Sequence, residues 1–291
     1  MRDYIIMTDS CCDLSQQEVE ELELTVLPLS FTIEGKTLLN TPDHADMSPE
    51  EFFAKIAAGA DCTTAAVNVG QFTDAMEKVL QEGKDILCVC FSSALSTTYQ
   101  SACIAAEDLR EKYPEAKILV IDSLSASRGQ GMLLYRAVRE RREKNLTIDE
   151  LDAYVRSIIQ SQCHWFIVDD LNHLKRGGRV SATAALVGTL LGVKPVLHVD
   201  DEGHLIPVSK VRGRRQSLDA LMQKMEETAI QPADQTVFIS HGDCLADAEY
   251  VANRVREKFG VKNIYINFIG PVIGAHSGPG TVALFFIGEH R

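Results

Sequence analysis

Apolar positions in the first half of the chain alternate between short continuous runs and helical spacing. The runs at residues 4–7, 85–91 and 117–121 predict buried strands, each followed by a polar turn. The clearest helical segment begins at Ser48, which precedes a proline, two glutamates and an apolar stripe. Strands that alternate with helices predict a mostly parallel sheet with helices on both faces.

The second half of the chain has a different pattern. Apolar runs at residues 195–199 and 205–210 flank the polar segment 200–203, which predicts a hairpin of antiparallel strands. Helical patterns at residues 216–228 and 245–259 then alternate with further apolar runs. This mixture is typical of an α+β domain.

The change of pattern predicts two domains within the 291 residues. We expect an N-terminal, mostly parallel, Rossmann-like α/β domain at residues 1–162. We expect a C-terminal α+β domain with a mixed or antiparallel sheet at residues 163–291.

Charge and cysteine content exclude several classes of protein. The chain carries 41 acidic and 29 basic residues, a net charge of -12, which argues against nucleic acid or an anionic membrane as partner. No apolar run is long enough to span a bilayer, and the first residues do not form a signal peptide. The eight cysteines include no CxxC pair, so we expect reduced structural thiols in a cytoplasmic protein and no zinc site.

Residues 269–281 hold four glycines, two prolines and a single histidine between two apolar runs. Glycine allows close backbone approach and proline fixes the course of the chain. The pattern predicts a rigid loop that places His276 at the mouth of a pocket. A turn-rich connection with a hydrogen-bonded histidine explains the same pattern, and both interpretations stay open.

A hydroxyl-rich turn, residues 92–98, follows the strand predicted at 85–91 and leads into a helix. Ligands bind at the carboxyl ends of parallel strands, and a helix N-terminus offers free N–H groups. Ser93 and Ser96 are therefore candidates for binding a carboxylate or phosphate, although Ser96 also suits a simple helix cap. Residues 63–66, by contrast, predict a plain loop.

Two basic clusters interrupted by glycine stand out in this acidic chain. One is residues 175–179, which we expect to form a basic glycine loop that includes Arg179, and the other is residues 210–215, around Arg212. Arginine suits recognition of carboxylate or phosphate, so both clusters are candidate binding regions rather than solvated surface.

Motifs for nucleotide binding or covalent catalysis are absent from the sequence. There is no G-x-x-x-x-G-K-[ST] loop and no G-x-G-x-x-G between a strand and a helix. Ser93 lacks the flanking glycines of a nucleophile elbow. The chain therefore lacks the usual signs of nucleotide binding and shows little sign of covalent chemistry.

Several blocks, taken in order along nearly the whole chain, resemble the DegV family, the bacterial fatty-acid-binding proteins that include the FakB subunits of fatty acid kinase. The blocks are Thr8-Asp9-Ser10, Ser92-Ser93-Ala94-Leu95-Ser96, Ile121-Asp122-Ser123, residues 174–181, Lys194-Pro195-Val196-Leu197, Lys210-Val211-Arg212-Gly213-Arg214 and residues 270–280.

The resemblance implies one long-chain fatty acid in a buried apolar tunnel between two domains, with no other cofactor. It implies that Thr64, His276 and either Ser93 or Ser96 bind the carboxylate. A separate ATP-dependent, FakA-like kinase would phosphorylate that carboxylate, with Arg179 and Arg212 serving the kinase docking or phosphoryl step. The chain itself would then be a non-catalytic subunit.

The chain departs from the family pattern where Thr64-Ala65-Ala66 replaces the usual Thr-Ser-Gln, and where Ala94 and Thr97 replace glycines of the serine turn. Two other functions remain open. One is an esterase or thioesterase that uses a serine with His276. The other is a carrier of a small polar anion.

Overall fold

The computed structural model describes residues 2–180 and 192–291. Its N-terminal sheet is four-stranded and wholly parallel, in the order β2-β1-β6-β7. Its strands are β1 (Tyr4–Asp9), β2 (Leu24–Leu27), β6 (Asp85–Cys90) and β7 (Ile118–Asp122). The parallel sheet predicted from the alternating pattern is therefore confirmed.

Helices cover both faces of this sheet. They are α1 (Gln16–Glu21), α3 (Val69–Gln81), α4 (Thr98–Lys112), α5 (Arg128–Lys144) and α6 (Ile148–Ile158). Phe72 and Met76 of α3 pack on one face, and Leu133 of α5 and Leu151 of α6 pack on the other. Each face thus has its own apolar core, which is why the strands between them read as continuous apolar runs.

A small antiparallel sheet stands beside the parallel one. It consists of β3 (Ser30–Ile33), β4 (Lys36–Leu39) and β5 (Cys62–Ala65), in the order β4-β3-β5. The helix α2 (Pro49–Ala57) begins at the Ser48 cap, as predicted. The prediction of a plain loop at residues 63–66 was wrong, because Thr63 and Thr64 pair with β3.

The C-terminal sheet has six strands in the order β10-β9-β8-β13-β11-β12. All neighbouring pairs are antiparallel except β11 with β12, so the sheet is mixed, as expected. The strands are β8 (Gln162–Ile167), β9 (Val193–Val199), β10 (Leu205–Arg212), β11 (Thr236–His241), β12 (Asn263–Phe268) and β13 (Val282–Ile287).

One face of this sheet packs against α8 (Arg214–Thr228) and α9 (Leu245–Phe259). The other face meets the N-terminal domain through Met132 and Tyr135 of α5. The short helices α7 (Asn172–Arg176) and α10 (Pro271–Ser277) lie beside each other, and α10 also packs on α2. Three 3-10 turns complete the described elements: Ser10–Cys12, Ile159–Ser161 and Pro232–Asp234.

Two local predictions need correction. Residues 269–281, predicted as a loop, contain α10, because Pro271 occupies the first helical turn, where its missing N–H costs nothing. Lys175 and Arg176 lie in α7 rather than in a glycine loop. Ser181, the last residue of the 174–181 block, lies outside the described residues. Because β8 begins at Gln162, the boundary between residues 162 and 163 stays a prediction.

The domains meet at the buried carboxyl group of Asp13. Its Oδ1 accepts a hydrogen bond from the Gly270 backbone N–H at 3.0 Å, and its Oδ2 accepts one from Ser127 Oγ at 2.5 Å. Ser127 Oγ lies 3.0 Å from Ser240 Oγ in β11. One side chain therefore fixes the starts of α5 and α10 relative to each other.

Burial raises the pKa of the Asp13 carboxyl group from 3.8 to about 7. The folded state then binds this proton more tightly than the unfolded chain does. The resulting contribution to stability is complete below about pH 4 and is lost as the pH rises through about 7.

We expect Asp13→Asn to flatten the pH dependence of the free energy of unfolding between about pH 4 and pH 7. The titrating carboxyl lowers stability by roughly 1.4 kcal/mol per pH unit in this window, and asparagine does not titrate. Urea denaturation at a series of pH values measures the slope. Asp9, whose pKa burial raises to about 6, titrates in both proteins, and its charge also raises the pKa of Asp13. The variant therefore keeps part of the slope, and the loss of slope relative to the wild type is the quantity compared.

Asp108→Asn, on the exposed surface of α4, is the matched control and should keep the wild-type slope. An Asp13→Asn protein with the wild-type slope would show that Asp13 does not titrate differently on folding.

Candidate functional site

A cavity of about 440 Å³ lies between the two domains, within the size range of small-molecule sites. Its walls are mostly apolar and come from both halves of the chain, including Leu29, Phe91 and Leu95 on one side and Phe166, Val272 and Phe285 on the other. Such walls suit an apolar ligand of some length.

The central polar contact of the cavity joins the two domains. Thr64 lies on β5 and His276 lies near the end of α10, and Thr64 Oγ1 is 2.8 Å from His276 Nε2. Burial, reinforced by the nearby Arg179 charge, lowers the pKa of His276 from 6.5 to about 4. His276 is therefore neutral at pH 7, with one ring nitrogen as donor and the other as acceptor.

Gly177 makes room for the His276 ring. A Cβ atom added at Gly177 would lie 2.1 Å from His276 Nδ1, far inside contact distance. The backbone of Gly177 has φ -72°, which any residue adopts. Glycine is therefore needed here because it has no side chain, and not because of its backbone conformation. Sequence reasoning noticed this glycine only as an interruption of a basic cluster.

The serine turn supplies two hydroxyl groups to the cavity wall. Ser96 Oγ accepts a hydrogen bond from the Thr98 N–H at 3.2 Å and lies 2.9 Å from Thr98 Oγ1, so it stabilises the start of α4. Ser93 is exposed, and its backbone N–H donates to Asp122 Oδ1 at 3.1 Å. Its hydroxyl makes no hydrogen bond to any part of the chain that the structure describes.

The half-buried side chain of Arg179 ties the end of α7 to the serine turn. Its Nε donates to the Leu95 carbonyl at 3.0 Å, and its guanidinium also bonds the Gly177 carbonyl. Burial lowers the pKa of this guanidinium below its usual range. Arg212, in contrast, is exposed on the edge strand β10 and is not part of the cavity wall.

The structure thus brings five of the six predicted site residues to one cavity and leaves Arg212 outside it. We call Thr64, Ser93, Ser96, Arg179 and His276 the polar end of the cavity. Hydroxyls, a neutral imidazole and a guanidinium are groups that bind an anionic oxygen by charge-assisted hydrogen bonds.

Five buried polar residues in the cavity wall were not singled out by the sequence analysis: Ser127, His164, Ser240, Ser277 and Thr281. The last two lie within residues 269–281, where the pattern drew attention to His276 only. Ser127 follows a predicted strand and begins a helix, which was a usable signal. His164 and Ser240 lie in apolar strands, and nothing in the sequence marks them.

Among residues 2–180 and 192–291, no three His, Cys, Asp or Glu side chains are grouped to hold a metal ion. Over the same residues, no helix has the length and hydropathy needed to cross a bilayer.

Comparison with known proteins identifies similar chains. A family model described as "Uncharacterised protein, DegV family" matches residues 4–289. A DegV domain-containing protein of Clostridium perfringens is 43% identical over 291 residues, which cover 100% of this chain and 99% of the relative.

Solved structures show the same fold. A DegV lipid-binding protein from Thermotoga maritima has a TM-score of 0.84 at 28% identity, covering 99% of each chain. A stearic acid-binding protein from Eubacterium ventriosum has a TM-score of 0.86 at 26% identity, covering 98% of each chain. The two-domain α/β architecture is therefore shared with proteins that bind lipids.

We expect Gly177→Ala to push the His276 ring away from Thr64 and toward solvent. Because burial is the main cause of the lowered pKa, the pKa of His276 should rise from about 4 toward 6.5. An NMR pH titration of the imidazole resonances, with His276→Gln used to assign them, measures the change.

Gly70→Ala in the first turn of α3 is the matched control, and it should leave the His276 titration unchanged. A His276 pKa that stays near 4 in Gly177→Ala would contradict the close packing of glycine and ring.

Proposed function

We propose that this chain, which belongs to the DegV family, binds one long-chain fatty acid in the cavity between its domains. We propose further that it presents the carboxylate to a separate ATP-dependent kinase. The observation that carries the proposal is an apolar cavity with polar groups gathered at one end. Relatives described as binding lipid and stearic acid support it.

The apolar walls account for affinity. Burying a methylene group is worth about 0.8 kcal/mol, so an acyl chain gains several kcal/mol in such a cavity. A carboxylate buried without partners would cancel much of that gain. The ligand therefore lies with its carboxylate at the polar end and its chain along the apolar walls.

Thr64 and His276 are the proposed centre of the carboxylate site. The imidazole is neutral at pH 7, so it donates one hydrogen bond without adding a charge. Of the two serines, Ser93 has the hydroxyl that is free to turn toward a ligand, whereas Ser96 is occupied at the start of α4. We therefore favour Ser93 as the carboxylate ligand.

The polar end also suits a transfer reaction at the surface. Ser93 and Thr97 line the cavity and are exposed, so a carboxylate held there is open to a second protein. A carboxylate oxygen attacks the γ-phosphorus of ATP, ADP leaves, and an acyl phosphate forms. Arg179 would neutralise the transferred phosphoryl group, and Arg212, exposed on β10, would contact the kinase. Dependence on ATP implies a cytoplasmic setting.

The esterase alternative receives no support from the geometry. It needs a serine hydroxyl hydrogen-bonded to His276, and the recorded partner of that imidazole is the Thr64 hydroxyl.

Native mass spectrometry of freshly purified protein, followed by organic extraction, tests the proposal directly. We expect one fatty acid per chain, since the cavity buries its apolar part. A protein that is empty and also refuses added stearic acid would refute fatty-acid binding. Formation of acyl phosphate with a fatty acid kinase and ATP then tests the second step separately.

Thr64→Val is expected to weaken stearic acid binding by at least about tenfold, because it removes a hydroxyl donor to a buried anion while keeping the shape of the side chain. Isothermal titration calorimetry on delipidated protein measures the affinity. Thr63→Val, the exposed neighbour on the same strand, is the matched control and should bind as the wild type does. An equal loss of stearic acid affinity in both variants would show that Thr64 is not part of the carboxylate site.

A further inference from the structure

The cavity contains polar groups that the carboxylate site does not use. Ser127, His164 and Ser240 line its wall and are 4%, 1% and 0% exposed. We call these three residues the inner polar site. An acyl chain alone would be better served by apolar side chains at all three positions.

The inner polar site and the polar end lie near opposite ends of α10. Ser127 is bonded to Asp13, and Asp13 also binds the N–H of Gly270 at the start of α10. His276 lies six residues further along, a rise of about 9 Å at 1.5 Å per residue. A ligand held at His276 therefore passes the inner polar site with its chain, not with its carboxylate.

The hydrogen bonds among Asp13, Ser127 and Ser240 leave the Ser240 hydroxyl able to form one more. Ser127 has one hydroxyl proton and lies within hydrogen-bond distance of both Asp13 and Ser240. When Asp13 is ionised, this proton goes to Asp13, so the bond between the serines requires Ser240 as donor and leaves the lone pairs of Ser240 free. When Asp13 is protonated, the order reverses and the proton of Ser240 is free to donate. In both states Ser240 is able to pair with one more hydroxyl group.

The backbone at Ser127 supports a role beyond packing. Ser127 has φ 52° and ψ -146°, a conformation that residues with a side chain rarely adopt. Strained residues of this kind gather at ligand sites, where the surrounding structure holds them in place. In this conformation Ser127 Oγ lies within hydrogen-bond distance of Asp13 and Ser240.

His164 is a second, independent sign of a polar ligand group. Neither of its ring nitrogens makes a well-aligned hydrogen bond among the described residues, although the side chain is buried and the Gln162 backbone lies close to it. Burial keeps the imidazole neutral, so it carries one N–H donor and one acceptor. Its ring packs against Gly129, two residues beyond Ser127, and against Phe285 of the neighbouring strand.

From these observations we infer that the cavity accepts an acyl chain that carries a hydroxyl group part-way along its length. A hydroxyl part-way along the chain pairs with Ser240 or with His164, both of which line the cavity. The inference rests on the proposed function, because the carboxylate at the polar end sets the position of the hydroxyl.

The first test needs only the wild-type protein. Calorimetry on delipidated protein compares stearic acid with a series of hydroxystearic acids in which the hydroxyl moves along the chain. We expect mid-chain isomers to bind at least as tightly as stearic acid. Isomers with the hydroxyl near the methyl end should bind about tenfold more weakly, since an unpaired hydroxyl is buried there.

The second test uses Ser240→Ala and His164→Phe, both of which keep the approximate shape of the side chain. In at least one of them, the affinity for the preferred hydroxystearic acid relative to stearic acid should fall about tenfold. Ser209→Ala on the exposed strand β10 is the matched control and should keep the wild-type ratio. Thermal unfolding checks that each variant folds, and the wild-type series decides the question if one does not.

The outcomes separate the two claims. If stearic acid does not bind, the proposed function fails, and this inference fails with it. If stearic acid binds and every hydroxystearic acid is about tenfold weaker regardless of position, the proposed function stands and the inner polar site has no role in recognition.

Discussion

The cavity depends on one buried carboxyl group. Asp13 follows β1, and its two oxygens bind Gly270 at the start of α10 and Ser127 at the start of α5. Because α10 carries His276 and α5 packs on the C-terminal sheet, this single side chain sets the distance between the cavity walls. Its raised pKa reflects the cost of burying a charge that the domains share.

Close packing also fixes the far end of α10, where His276 lies. An added Cβ at Gly274 would lie 2.8 Å from ring atoms of both Phe52 and Phe53, so the helix sits directly on α2. Gly177 allows the same closeness between α7 and the His276 ring. The Thr64–His276 hydrogen bond is thus the last contact of a chain of packed groups that begins at Asp13.

The sequence contained enough information to predict the parallel sheet and the mixed sheet, because buried strands produce apolar runs whatever the details of packing. The small sheet was not predicted, because β4 and β5 are largely exposed and carry no such run. It was misleading at residues 269–281, where glycine and proline favour a loop locally but Gly274 is required by the aromatic rings of α2. Local patterns marked His276, Ser93, Ser96 and the cluster around Arg179 as candidates before the family resemblance was considered. Thr64 was found through the resemblance alone. Ser240 and His164 were missed, since their surroundings come from contacts between domains that no local pattern records.

The two ends of the cavity have different physical tasks. Many methylenes at about 0.8 kcal/mol each dominate the binding free energy, whereas one hydrogen bond to a charged group contributes about 1.5–3 kcal/mol. Under the proposed function, the apolar walls therefore determine whether an acyl chain binds, and the polar end determines which way it points. A site that only orients the ligand needs precise geometry but not a large binding free energy. A neutral histidine and hydroxyl groups, in place of a buried ion pair, are consistent with that requirement. Under the proposed function, a carboxylate held at the exposed Ser93 also remains available as a nucleophile for the kinase.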